Sequence, residues 1–190
     1  MAPELSEFLS QLEAVKADGR AVAAGLSEAQ FNWRPAPDRW SIGDCLAHLN
    51  ESVTTTLPAF DAAIAAGRAR GLVSPGPYKY GWFASWMARS MEPPPRWRMR
   101  SPSVFRTSPA QRRADVVVPE FLAVRDRLAE RVRRADGLDL TRVRVTSPAS
   151  RFFRLPLGAY FGFVLGHERR HVWQARQVRN APDFGAERGA

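Results

Sequence analysis

The stretch PLGAYFGFVLGHERRHVWQARQVRN (156–180) decides how this chain is read. Its pattern predicts one helix. Pro156 suits the first helical position, where its missing N–H has no intrahelical partner. Asn180-Ala181-Pro182 is a stop signal. At 100° per residue, Tyr160, Val164, His167, His171, Gln174 and Val178 share one stripe, flanked by Leu157 and Phe163. His167 and His171 are therefore expected one turn apart on the inward face. Two imidazoles at i, i+4 can reach a single metal ion. The competing reading is a pair of ordinary core histidines, but each neutral ring then needs partners for both nitrogens. The chain has three histidines in all. The third, His48, lies in another amphipathic segment.

That segment begins at Ser41, an N-cap with Asp44 three residues on to complete a capping box. Trp40 before the cap is placed to staple onto Cys45. Ile42, Leu46, Leu49, Val53, Leu57, Phe60 and Ile64 make the apolar face. His48 falls roughly 130° from its centre, on the side of Cys45, Ser52 and Thr55, and reads as a boundary residue looking into a cleft between helices. Pro58 is expected to kink the helix or end its regular part. An earlier helix, 4–18, carries Leu5, Phe8, Leu9, Leu12 and Val15 on one stripe, and Gly19 and Gly25 weaken the pattern after it. Residues 26–40 read as a loop with Pro35 and Pro37, whose Phe31, Trp33 and Trp40 cap one end of the core. A third long helix runs from about 116 or 119 to 135 on Val117, Phe121, Val124, Leu128 and Val132, with Asp136-Gly137 as its stop.

Residues 67–114 are rich in Pro, Gly and aromatics. They read as a long crossover anchored over the core by Tyr78, Tyr80, Trp82, Phe83, Trp86 and Trp97, with a short helix in GWFASWMARSM (81–91). No strand series is legible. The expected fold class is all-α, a four-helix bundle with a long crossover between helices 2 and 3, as a single domain over 1–190.

Composition bounds the function. The chain has 190 residues, 45% of them hydrophobic, enough for a real core. No run of about 18 apolar residues exists, so no membrane span is expected. The first residues lack the basic and apolar regions of a signal peptide. One cysteine, Cys45, excludes an internal disulfide and fits a reducing cytoplasm. The net charge is +9; of 28 basic residues two are lysines, leaving 26 arginines. These are scattered, which argues against a nucleic-acid groove even where arginines and aromatics alternate.

Two motifs now carry a family resemblance. DRWSIGDCLAHL (38–49) resembles the second helix of the DinB-like superfamily, and HERRHVWQARQV (167–178) resembles its fourth. The stretch FLAVRDRLAERVRRADGLDLTRVRV (121–145), with Ser147-Pro148 after it, is similar to the segment that joins the third and fourth helices there. The resemblance covers most of the chain; 67–114 matches least. It implies a four-helix bundle holding a divalent metal, often nickel or zinc with iron as an option, on His48, His167 and His171. Three histidines leave a coordination position open, as in catalytic sites. The resemblance further implies metal-dependent chemistry on a small-molecule substrate with a low-molecular-weight thiol, since relatives include bacillithiol-dependent transferases and mycothiol-dependent maleylpyruvate isomerase. Homodimerisation is implied by the resemblance alone. The alternative in another class is a non-catalytic metal- or ligand-binding bundle connected with stress.

Residues 167–171 also spell H-E-x-x-H, the zinc-hydrolase motif with a glutamate base. Three features weigh against that reading: no histidine follows Val172, the remaining acidic candidate is Glu187 in a Gly- and Ala-rich tail, and no sheet is legible beside the helix. Glu168 stays a candidate acid/base, its competing reading being a surface ion pair with a nearby arginine. Gln174 shares the histidine stripe and is a candidate to orient His171, against an ordinary polar position at the bundle end. Asp44 is weighed as a partner of His48 or, preferred, as a helix cap. Cys45 is read as a packed thiol more than a metal ligand.

Overall fold

The computed structural model describes residues 1–94 and 110–186. The described residues form six helices and one hairpin: α1 (Pro3–Ala23), α2 (Glu28–Asn32), α3 (Ile42–Ala69), α4 (Trp82–Ser90), α5 (Ala114–Arg134), β1 (Arg144–Ser147), β2 (Ser150–Pro156) and α6 (Leu157–Arg179). The chain is mainly helical. No helix among the described residues is long and apolar enough to cross a membrane.

Both α1 and α3 pack against α5 and α6, so the four long helices enclose common apolar clusters. α1 runs through Gly19 instead of stopping there. A Cβ at that position would overlap the Phe121 ring, so the glycine that weakens α1 locally lets α5 approach it closely. α3 starts as expected: Ser41 Oγ accepts from Asp44 N at 3.0 Å and Asp44 Oδ2 accepts from Ser41 N at 3.1 Å. Pro58 does not end α3, which continues to Ala69 with Pro58 on an exposed position. Within residues 26–40 the structure adds α2, capped reciprocally by Ser27 and Gln30. Phe31 is fully buried, and Trp33 packs edge-on against Phe184.

The expectation of an all-α chain is corrected by the hairpin. β1 and β2 pair antiparallel, with Val145 opposite Leu155 and Thr146 opposite Arg154. Val145 and Leu155 join the core while Arg144 and Thr146 face solvent, the alternation of a half-buried strand. Pro156 is the last residue of β2 and the N-cap of α6, one place earlier than its expected position inside the helix. The first two donors of α6 are satisfied outside it: Leu157 N bonds Val143 O at 2.8 Å and Gly158 N bonds Leu140 O at 3.2 Å.

The crossover is anchored in part. α4 lies along α6, and Tyr78, Tyr80 and Met87 pack onto the core. A Cβ at Gly158 would overlap the Tyr80 hydroxyl, so that glycine admits the anchor. Trp82, Phe83 and Trp86 are not anchors: they are 80%, 47% and 53% exposed. Trp97 and Glu187 lie outside the described residues.

The apolar interior falls into two clusters. Along α3 one cluster ends at Leu49 and the other begins at Val53; along α5 the change comes between Phe121 and Val124, and along α6 between Leu165 and Val172. Asn50 falls at the change on α3 with His48 just before it, Arg125 directly follows the change on α5, and His167, Glu168 and His171 fall within that on α6; together they form a polar seam.

Candidate metal centre

Each histidine is carried by a long helix, His48 by α3 and the other two by α6. One ligating atom from each lies within 4.8 Å of the others. His48 Nε2 is 3.3 Å from His167 Nε2. Two nitrogens bound to zinc at about 2.0–2.1 Å and near the tetrahedral angle stand about 3.4 Å apart, so this pair fits a shared ion. The ring centroids are 4.6 to 5.2 Å apart, all in edge-on arrangements.

Burial differs from the expectation for all three. His48, read as a boundary residue, is fully buried. His167 and His171, read as central to the inward stripe, are half-buried. The inward face of α6 is centred instead on Phe161, Leu165, Glu168 and Val172, all buried. The histidines therefore sit on its shoulder, where α6 meets α3.

Burial also sets their charge. It pushes His167 well below the ordinary histidine value, and proton charge on His171 or His48 would push it further. His171 is pushed down to about 3, chiefly by burial and then by His48, with Gln174 opposing. Both rings are therefore neutral at neutral pH, the form that binds metal. Gln174 Oε1 lies 3.0 Å from His171 Nδ1. An amide oxygen only accepts, so Nδ1 carries the proton and Nε2 keeps its lone pair. Ser52 Oγ lies 3.4 Å from His48 Nε2.

Trp40 covers the cluster. Its ring centroid is 4.8 Å from that of His48 and 5.4 Å from that of His171. Sequence reasoning placed Trp40 at the core end and missed this contact. Its signal is positional: a tryptophan directly before the N-cap enters α3 about two helical turns before His48, within reach of a large ring.

Asp44 is not drawn to His48. Besides capping α3, it accepts from Arg34 Nε at 3.0 Å and Ala110 N at 3.2 Å and lies 3.7 Å from Arg112 Nε. It thus ties the start of α3 to the segment entering α5. Cys45 is a fully buried thiol among Ile42, Leu46 and Val172; burial pushes its pKa up, and it lies outside the histidine cluster.

Glu168 is also outside that cluster. It is neither on the surface nor turned to the histidine nitrogens. Its Oε2 accepts from Arg125 Nε and its Oε1 from Arg125 Nη2, both at 2.8 Å, and both residues are fully buried. Burial pushes the Glu168 carboxyl up and the Arg125 guanidinium down, while their mutual attraction and hydrogen bonds oppose both shifts. Two N–H groups aimed at two oxygens fit the ionised pair. A carboxylate engaged this way is not placed as the base of an H-E-x-x-H hydrolase. Arg125 was missed at the sequence level, although it sits four residues after Phe121 and three before Leu128, on the apolar side of α5. A charge in such a stripe signals a buried partner.

A family model described as the DinB superfamily matches residues 11–175. No curated protein and no solved structure matches the chain. The match takes in all three histidines and all four long helices in whole or large part, and the chain belongs to the DinB superfamily.

Proposed function

We propose that His48, His167 and His171 bind one divalent cation, zinc or nickel, in a four-helix bundle, and that the protein is a metal-dependent enzyme acting on a small molecule with a low-molecular-weight thiol. The observation that carries this reading is the convergence of three imidazole nitrogens within 4.8 Å in a chain that has only three histidines. The donor set fits: three neutral nitrogen ligands with no carboxylate among them suit zinc or nickel over magnesium or calcium.

When bound, such a cation acts as a Lewis acid and lowers the pKa of a coordinated water or thiol. The protein's own groups do the rest. Burial keeps His167 and His171 unprotonated, so little proton release opposes ligation. Gln174 fixes the His171 tautomer. Trp40 shields the His48 and His171 rings from water on its side. The reading of a non-catalytic metal-binding bundle is favoured by one feature, the full burial of His48 under Trp40.

Cobalt substitution separates the two. Co2+ added to the metal-stripped protein is expected to give visible d–d bands, and N-acetylcysteine, as a thiol probe, to add a near-ultraviolet thiolate charge-transfer band. Uptake of Co2+ with no response to thiol would favour the non-catalytic reading.

A further inference from the structure

One residue beyond His167 and two beyond His48, the side chains of α6 and α3 meet a single guanidinium. Arg125 spends every face of its fork there. Nε and Nη2 bond the two oxygens of Glu168, and Nη1 donates to Asn50 Oδ1 at 2.7 Å and to Phe121 O at 3.1 Å. The partners are themselves held. Asn50 Nδ2 donates to Val117 O and to Glu120 Oε2, each at 3.2 Å. The guanidinium carbon lies 3.7 Å from the centre of the Phe121 ring, and that ring is backed by Gly19 of α1. Arg125 and Glu168 are fully buried and Asn50 is 2% exposed.

Stability alone is a poor account of this arrangement. A buried ion pair must recover a large desolvation penalty, and apolar residues of similar volume often stabilise a core as well or better. What the polar group provides and an apolar one does not is direction. The fork fixes the distance and rotation between α3 and α6, and it does so beside the seam where each helix contributes histidine. A slide or roll of either helix would separate His48 Nε2 from His167 Nε2, and would break bonds to Arg125 as it did so.

We infer that the Arg125–Glu168–Asn50 clamp sets the geometry of the three histidines before an ion arrives, and that Arg125 is a positioning residue for the metal site. The inference rests on the metal-binding reading above.

The test uses Co2+ alone as the probe. In the Arg125→Met/Glu168→Leu variant both charges are removed together, so no charge is stranded in the core. The expected result is a helical protein with an unfolding midpoint near that of the wild type. Its Co2+ affinity should fall about tenfold or more, the scale seen when the surroundings that hold metal ligands in place are lost, with shifted d–d bands. A purely structural clamp would instead move the unfolding midpoint and leave the spectrum of the bound ion unchanged. A folded variant with wild-type affinity and spectrum overturns the inference. Should the double variant not fold, Asn50→Leu decides, because it frees α3 and keeps the ion pair: a smaller loss of affinity with the same spectral shift supports the clamp, and wild-type behaviour overturns it. Absence of Co2+ uptake by the wild type overturns the metal reading itself and this inference with it; uptake that is equal in wild type and variants overturns the inference alone.

Discussion

At the scale of single residues, the three histidines were legible because they are so few and because a four-residue step on a helix leaves two rings side by side. Their setting was less legible. The helical phase of α6 was judged with the histidines as part of the inward stripe, whereas Phe161, Leu165 and Val172 set its centre and carry Glu168 into the interior. The same difference in phase turns the surface ion pair weighed for Glu168 into a buried one with Arg125. The burial of His167 and His171 has its own consequence for pH. Their pKa values are lower in the folded chain than in the unfolded one, so as pH falls below about 6.5 the unfolded state takes up protons first. Stability is then lost as pH falls, over a window running from about 6.5 toward the depressed values, about 3 for His171. Urea unfolding of the metal-stripped protein is expected to show lower stability at pH 5 than at pH 7, by at most about 1.4 kcal/mol per pH unit for each histidine. In the His167→Gln/His171→Gln variant most of that dependence should vanish; an unchanged slope would show that other groups govern it.

At the scale of elements, length decided what could be read. Helices of three turns or more announce themselves by repetition, and α1, α3, α5 and α6 were all anticipated, as was the short α4. The five residues of α2 and the four of β1 offer too few periods to stand out from a loop. Of the two outcomes expected at Pro58, the ending does not occur: a proline at an exposed position costs α3 one backbone bond, and the packing of a 28-residue helix against α5 and α6 outweighs it. The capping box at the start of α3 was both legible and present. Ser41→Ala is expected to destabilise the protein by about 1 kcal/mol in urea, because it removes the acceptor for Asp44 N at a fully buried helix start. Ser41→Asp should recover most of that loss. If Ser41→Ala is neutral, the ties from Asp44 to Arg34 and Ala110 hold the end of α3 without the cap.

At the scale of the whole molecule, the polar seam between the two apolar clusters is the feature that sequence patterning conveyed least. It is assembled from α3, α5 and α6, residues 48 to 171, and none of the three helices carries more than three of its six members on its own. The net charge of +9 was legible as a number, but its pairing was not: Arg131 and Arg134 both reach Asp61, Arg34 and Arg112 flank Asp44, and Arg125 is internal. These pairs use up part of what would otherwise read as a basic surface. Everything proposed for function depends on whether the seam holds an ion. The most direct measurement is the metal content of the purified, untagged protein by plasma mass spectrometry, beside the His167→Ala/His171→Ala variant. About one zinc or nickel ion per chain is expected in the wild type, with loss in the variant, from a three-histidine site. A wild type that carries no divalent metal, even after incubation with zinc and nickel at neutral pH, would contradict the account and leave the three histidines as packing residues between α3 and α6.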